Sequence, residues 1–138
     1  MEQIKKPSRP YKPIPLEVEA IGKQVLDAAY TVHSSLGPGL LESVYEACLA
    51  FELRKLGMNV ETQAPVPVRY QEVYVETRLR LDVWIEKSVI AELKAVETMQ
   101  SLYEAQLLTY LKITGRRLGF LINFNVKRLK DGIKRMVL

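Results

Sequence analysis

Three charged residues, Asp82, Glu92 and Lys94, lie on two short runs in which apolar residues alternate with others, LRLDVWIE and VIAELK. Alternation with a period of two is typical of a β-strand, because successive side chains point to opposite faces. The pattern places Asp82 on one face with Arg80 and Trp84, and Glu92 on one face with Lys94. It also predicts a shared apolar face made by Leu79, Leu81, Val83 and Ile85. Two acids and a lysine on neighbouring strands could bind a cation or transfer a proton.

The stretch between the two runs, residues 86–88, predicts a hairpin loop in which Ile85 pairs with Val89. The same register then sets Asp82 directly opposite Glu92. Side chains opposite each other in an antiparallel pair have Cβ atoms about 5 Å apart, and like charges there are destabilising. A hard divalent cation such as Mg²⁺ would offset that repulsion, since such ions bind carboxylate oxygens.

A second interpretation of the same hairpin involves no chemistry. The register sets Arg80 opposite Lys94 on the face that carries Asp82 and Glu92. The four charges could then neutralise one another as a solvated sheet surface, in ion pairs that are individually weak. The spacing alone leaves both interpretations open.

Longer segments of the chain resemble known families. The order Asp, about ten residues, Glu-x-Lys across a hairpin resembles the PD-(D/E)XK nuclease-like superfamily, and GLLESVY at residues 39–45 resembles the family named for its GxxExxY motif. The resemblance extends from about residue 18 to 138, through LGPGLLESVYEACL, PVPVRY, LRLDVWIE, AELKAVE, EAQLLTYLK, LGFLINF and RLKDGIKR. Leu81 stands before the first Asp, where the superfamily's name has Pro.

The resemblance implies an α/β (α+β) fold in a single domain, with a mixed central β-sheet flanked by helices. It implies hydrolysis of nucleic-acid phosphodiester bonds with Mg²⁺ or Mn²⁺. In that site Asp82, Glu92 and Glu42 would hold metal, while Lys94 would orient the attacking water or stabilise transition-state charge. The main-chain carbonyl of Leu93 is a further candidate ligand.

The supporting residues each have a structural alternative. Glu42 lies near the start of a predicted helix, where the helix dipole alone favours an acid. Gln106 and Tyr110 share a helix face, which either lines a cleft or is simply exposed, and the resemblance implies support of the lysine or contact with phosphate. Tyr45 is available to the core and is also a candidate supporting residue. His33, the single histidine, is expected to be structural, with cleft lining as the alternative.

The predicted elements follow from apolar spacing and from breaker residues. We expect helices over 16–36, ended by Gly37-Pro38-Gly39, over 40–56, and over 101–114, begun by a capping box of Ser101 with Glu104. Strands are expected over 60–70, 73–86, 89–95, 118–124 and 133–138. The first three strands would form a meander, and the fourth is apolar enough to be buried on both faces.

Composition limits the class of protein. The 138 residues predict one domain, over 16–138, after a proline-rich basic arm over 1–15. One cysteine, Cys48, and one histidine exclude an intramolecular disulfide and a Cys/His zinc cluster. No apolar run is long enough to span a membrane and no signal-peptide pattern opens the chain, so we expect a cytoplasmic location without membrane contact.

The net charge of +4 is concentrated towards the ends of the chain, and Lys127, Arg128 and Lys130 are the candidate contacts to nucleic acid. A solvated basic surface is the alternative.

Three functions therefore remain open: a metal-dependent nuclease, with DNA favoured over RNA as substrate; a non-catalytic nucleic-acid-binding accessory module; and a structural or regulatory protein whose charged sheet face pairs with another chain. A homo-oligomer or a partner protein fits all three.

Overall fold

The computed structural model describes residues 12–138. Three helices, a five-stranded sheet and a two-stranded sheet make up this part of the chain. In chain order the elements are α1 (Leu16–Leu36), α2 (Glu42–Lys55), β1 (Val60–Pro65), β2 (Val68–Tyr70), β3 (Val73–Val75), β4 (Arg80–Ile85), β5 (Val89–Lys94), α3 (Ser101–Thr114), β6 (Leu118–Asn123), a short 3₁₀ helix (Leu129–Gly132) and β7 (Ile133–Val137).

The main sheet has the order β1-β4-β5-β6-β7, with β5 and β6 parallel and the other neighbours antiparallel. One apolar cluster joins α1 and α2 to the sheet, and a second joins α3 to it through Leu107 and Leu111. Helices therefore flank a mixed sheet in one domain, which confirms the predicted fold class. Within residues 12–138, no helix combines the length and the apolar character needed to cross a membrane.

The predicted N-terminal arm, residues 1–15, lies mostly on residues 1–11, which are outside the described residues. Its last part is attached to the domain, because Ile14 is buried in the first apolar cluster. Arg117 also donates hydrogen bonds to the main-chain carbonyls of Pro13, at 3.0 Å, and of Lys12. The core thus includes a residue that the sequence assigned to the arm.

Two predicted strands are each divided. The stretch 60–70 forms β1 and β2, and the stretch 73–86 forms β3 and β4, so that β2 and β3 pair in a sheet of their own. Pro65 and Pro67 account for the break, since proline has no N–H to donate to a strand ladder. We call β2, β3 and their connection, residues 68–75, the hairpin arm.

The start of α3 also differs from the prediction. Gln100 takes the N-cap position, and no side-chain capping bond is formed there. The carboxylate of Glu104 instead accepts a hydrogen bond from Lys134 Nζ at 2.9 Å. The capping box was therefore wrong, because the Glu104 side chain pairs with β7 instead of turning back to the helix start.

The apolar face predicted for β4 is wrong at one point. Val83 packs in the cluster with α1 and α2, whereas Leu81 packs with Ile90 in the cluster below α3. The change of side occurs at Asp82, which lies opposite Gln63 on β1. Gln63 has a φ of 49°, in the left-handed region that side chains larger than glycine rarely adopt. At this point both strands depart from regular geometry, and the side chains of β1 and β4 change faces at the same level of the sheet.

Tyr45 secures the loop between α1 and α2 from inside the core. Its ring is fully buried and stacks on Phe124 with a centroid distance of 4.5 Å. Its hydroxyl donates to the Gly37 carbonyl at 2.6 Å and accepts from the Leu40 N–H at 3.1 Å. The tyrosine of the GLLESVY segment therefore fixes the loop that leads into Glu42.

We predict that Tyr45→Phe keeps the stacked ring but lowers the free energy of unfolding by about 1–2 kcal/mol, because two main-chain groups lose their partner. Urea unfolding would measure the change. Tyr30→Phe, at an exposed position on α1, is the control and should have no effect. Equal stability of the two variants would contradict this role.

Candidate active site

Asp82 and Glu92 meet where β4 and β5 separate. The predicted hairpin register is confirmed, with the pairs Ile85↔Val89, Trp84↔Ile90 and Val83↔Ala91. Beyond the last pair, the Asp82 N–H donates to Glu92 Oε2 at 3.0 Å. The Leu93 N–H in turn donates to Asp82 Oδ2 at 2.8 Å. Each carboxyl group is thus held by the main chain of the opposite strand.

Glu92 is buried, with 7% of its surface exposed. Burial, followed by the negative charge of Asp82 and a hydrogen bond between the two carboxyl groups, raises the pKa of Glu92 to about 9. The protonated form of Glu92 therefore predominates at neutral pH. That proton relieves the repulsion that a bound cation would otherwise relieve.

Lys94 lies beside this pair. Its Nζ is 4.4 Å from the ring centroid of Tyr103 on α3, a cation–π contact. Its positive charge lowers the pKa of both Glu42 and Glu92, against the larger effect of burial. In the described part of the chain, no ion pair joins Lys94 or Arg80 to an acid. The neutralised square of charges is therefore not formed there.

Three polar residues from α2 and β1 extend the site. Gln63 donates to the Glu46 carboxylate and, at 3.3 Å, to Asp82 Oδ1. Burial and the charge of Asp82 raise the pKa of Glu42, and they raise the pKa of Glu46 against the opposing hydrogen bond from Gln63. The charge of Asp82 thus reaches Glu42; the predicted role of Glu42 as a third metal ligand requires closer contact than this.

Glu46 and Gln63 were assigned no role from sequence. Glu46 had a readable signal, since it lies four residues after Glu42 and so shares its helix face. Gln63 had none, because its contact with Asp82 depends on the unusual backbone conformation of β1.

The predicted set of three carboxylate ligands is not assembled. Among residues 12–138, no group of three or more His, Cys, Asp or Glu side chains is arranged to hold a metal ion. Asp82 and Glu92 are in contact, whereas Glu42 is exposed at the first turn of α2. The pair itself fits a hard divalent cation, because main-chain N–H groups bind only one oxygen of each carboxyl group and such ions bind through one or two carboxylates and water.

The helix face predicted on α3 lies near the same carboxyl groups. Burial, followed by the charges of Glu92 and Asp82, raises the pKa of Tyr110. Gln106, about one turn earlier, is exposed. Tyr110 and Tyr103 therefore approach the site from the side of the sheet that α3 covers, and Gln106 is open to solvent.

His33 occupies a different part of the structure. It is buried, and its Nε2 donates to the Val126 carbonyl at 2.7 Å, which ties α1 to the loop after β6. It also lines a groove of about 460 Å³. That groove is bordered by the three predicted basic contacts, Lys127, Arg128 and Lys130, all of them exposed.

Asn123 is a positioning residue that the sequence did not reveal. It ends β6 opposite Lys94, and its side-chain amide exchanges hydrogen bonds with Val96, donating at 2.9 Å and accepting at 3.1 Å. The Phe124 N–H donates to the Lys94 carbonyl at 2.9 Å. The chain leaving β5 is thereby fixed to β6, and Lys94 with it.

We predict that stability without divalent metal falls as the pH rises from about 4.5 towards 9. The folded pKa of Glu92 is about 9 against an ordinary value of 4.5, so its stabilising contribution is complete below 4.5 and is lost as the pH approaches 9. The slope from one proton is at most about 1.4 kcal/mol per pH unit. Urea unfolding in a chelator should show a flatter pH dependence in Glu92→Gln than in the native chain. Glu97→Gln, an exposed control, should keep the native slope.

The chain was compared with known proteins. The family model described as the PD-(D/E)XK nuclease superfamily matches residues 19–136. No curated protein and no solved structure gave a match. The match covers both carboxyl-bearing strands, all three helices but the first residues of α1, and the basic loop after β6. The chain belongs to the PD-(D/E)XK nuclease superfamily.

Proposed function

We propose that this protein is a nuclease that hydrolyses phosphodiester bonds of nucleic acid, DNA in preference to RNA, with Mg²⁺ or Mn²⁺ held by Asp82 and Glu92. The observation that supports the proposal most is the pair of carboxyl groups formed by the buried Glu92 and the half-buried Asp82. They are fixed by main-chain N–H groups and lie beside a lysine. We also propose that the chain belongs to the family named for its GxxExxY motif.

Each residue of the site has a separate role in the proposed hydrolysis. A divalent ion bound here would lower the pKa of water and polarise the phosphoryl group. Asp82 and Glu92 supply carboxylate oxygens to the ion, and the Leu93 carbonyl is a further candidate ligand. Lys94 supplies a positive charge that orients the attacking water or stabilises charge developing on the phosphate. Glu42 and Tyr110 border the pair and shape the access of substrate.

The groove bordered by Lys127, Arg128 and Lys130, the basic groove, is the surface that we expect nucleic acid to contact. Lys127, Arg128 and Lys130 follow β6 directly along the chain, and β6 is hydrogen-bonded to the end of β5 that carries Lys94. Phosphate contacts of this kind give affinity that weakens with salt. The groove therefore accounts for binding, and the carboxyl pair for cleavage.

One observation favours a second function, a binding module without catalysis. The described residues contain no preassembled group of three metal-ligating side chains. A chain that kept the nuclease fold and the basic groove but bound no metal would act as an accessory subunit.

We expect Mg²⁺ or Mn²⁺ to raise the melting temperature of the native chain by about 2–6 °C at ten times its dissociation constant. At a fixed metal concentration the rise should be larger at pH 8 than at pH 6, because the ion displaces a proton. Asp82→Asn should abolish the rise, while Glu97→Gln should preserve it. An equal rise in Asp82→Asn would locate the ion elsewhere.

We expect Lys94→Ala to lower metal-dependent cleavage by about 10²–10³-fold while nucleic-acid affinity stays near native, because the lysine acts on the reacting groups. Replacing Lys127, Arg128 and Lys130 by Ala should instead weaken binding and flatten its salt dependence. The matched control replaces three exposed basic residues elsewhere, Lys87, Lys112 and Arg116.

Cleavage of single-stranded, duplex and branched substrates, together with binding titrations, would measure both effects. If the native protein binds nucleic acid but cleaves no substrate with either metal, the result favours the accessory-module function over the nuclease function. Cleavage that persists in both Lys94→Ala and Glu92→Gln would exclude this site.

A further inference from the structure

The hairpin arm stands apart from the two apolar clusters. None of its residues, 68–75, belongs to either cluster. Its rings are open to solvent, with Tyr70 66% and Tyr74 72% exposed, and Val73 and Val75 are exposed as well. A two-stranded hairpin is at best marginally stable on its own in water. The arm therefore offers aromatic surface without using it for the core.

The register of the arm places one tyrosine on each face. Arg69 pairs with Tyr74, and Tyr70 pairs with Val73. Paired side chains lie on the same face of an antiparallel ladder, and neighbouring pairs lie on opposite faces. The Arg69 guanidinium lies 5.6 Å from the centroid of the Tyr74 ring, so that a cation and an aromatic ring are combined on that face.

The arm is attached next to the carboxyl pair. It leaves the main sheet after Pro65, which pairs with Arg80, and the chain returns two residues before Asp82. The Val66 N–H donates to the Leu79 carbonyl at 3.2 Å and closes the base of the arm. A ligand that contacts the arm can thus extend to the candidate active site.

Arginine side chains beside exposed aromatic rings favour a nucleic acid as the ligand of the hairpin arm. Arg69, Arg78 and Arg80 are exposed, and across residues 12–138 no ion pair engages them. Arg69 and Arg80 donate hydrogen bonds to main-chain carbonyls and not to a carboxylate. The exposed Glu72 and Glu76 bring the net charge of residues 68–78 to zero, so the preference rests on the pairing of arginine with the rings and not on net charge. Exposed aromatic rings beside arginine are the features on which unpaired bases stack. Bases inside a duplex are already stacked and do not offer their faces.

We propose that the hairpin arm binds unpaired nucleotides of the substrate, with bases stacked on Tyr70 and Tyr74 and with Arg69 supporting the Tyr74 platform. This inference rests on the proposed function, since it assumes that the ligand of the site is nucleic acid. It adds that the substrate has a single-stranded segment beside the bond to be cleaved.

Binding without cleavage tests the proposal. Fluorescence anisotropy in a chelator, with no divalent metal, would compare a labelled single strand of about 20 nucleotides, longer than the roughly 4–16 nucleotides typical of a single-strand binding site, with the duplex of the same sequence. Tyr74→Ala and Tyr70→Ala should each bind the single strand about 5- to 100-fold more weakly. Tyr74→Phe, which keeps the stacking face, should bind it within about twofold of native, and duplex binding should not change.

A matched control lies on α2, where the exposed Phe51 ring has Lys55 Nζ at 5.2 Å from its centroid. Phe51→Ala removes the same kind of cation–aromatic pair away from the arm and should leave binding unchanged. Thermal melts of all variants should coincide with the native melt, because neither the tyrosines nor Phe51 belong to the core clusters.

The measurements distinguish a failure of this inference from a failure of the proposed function. Native affinity in both tyrosine variants, with loss on replacing Lys127, Arg128 and Lys130, would overturn the arm's role and leave the proposed function standing. Equal loss for single strand and duplex would overturn the preference for unpaired nucleotides. A change of oligomeric state by sedimentation in Tyr70→Ala would assign the arm to a second copy instead. If the native protein binds neither the single strand nor the duplex, the proposed function fails as well.

Discussion

The exchange of hydrogen bonds between Asp82 and Glu92 is the constraint on which the site depends. Each side chain accepts an N–H from the strand opposite, so the carboxyl groups replace the rungs that β4 and β5 would otherwise form. Two acids are thereby kept in contact, and the proton of Glu92 relieves the repulsion between them. The raised pKa of Glu92 follows from that contact and from burial. An isolated carboxylate in the same place would lack both the fixed geometry and the affinity for a cation.

The rest of the fold holds this pair in position from several directions. The buried Tyr45 fixes the loop that leads to Glu42, and His33 fixes α1 to the loop after β6. Asn123 ties the end of β5 to β6. Asn123 ends β6, which is buried along its whole length, and Tyr45 and His33 contact the segment that follows it, at Phe124 and Val126. The exposed site residues therefore depend on buried polar ones.

Much of this arrangement was predictable, because the spacing of apolar residues and the length of the connecting loop determine how neighbouring strands pair. The α1 boundaries, the register of the β4–β5 hairpin and the burial of β6 all follow from apolar spacing and from Gly, Pro and short turns. The change of face at Asp82 was not predictable. It depends on Gln63, whose backbone conformation is set by its tertiary contacts and not by its own preference. The capping box at Ser101 failed for a similar reason, since Glu104 pairs with a lysine from β7.

The base of the hairpin arm has a consequence for how such chains diversify. Pro65 pairs with Arg80, and the Val66 N–H bonds to the Leu79 carbonyl, so the chain is already closed beneath the arm before residues 67–78 begin. An insertion closed at its neck can change in length and composition without altering the strands below it. Selection can therefore act on the arm separately from the carboxyl pair. One framework of strands could in this way be adapted to different ligands by remodelling a single loop.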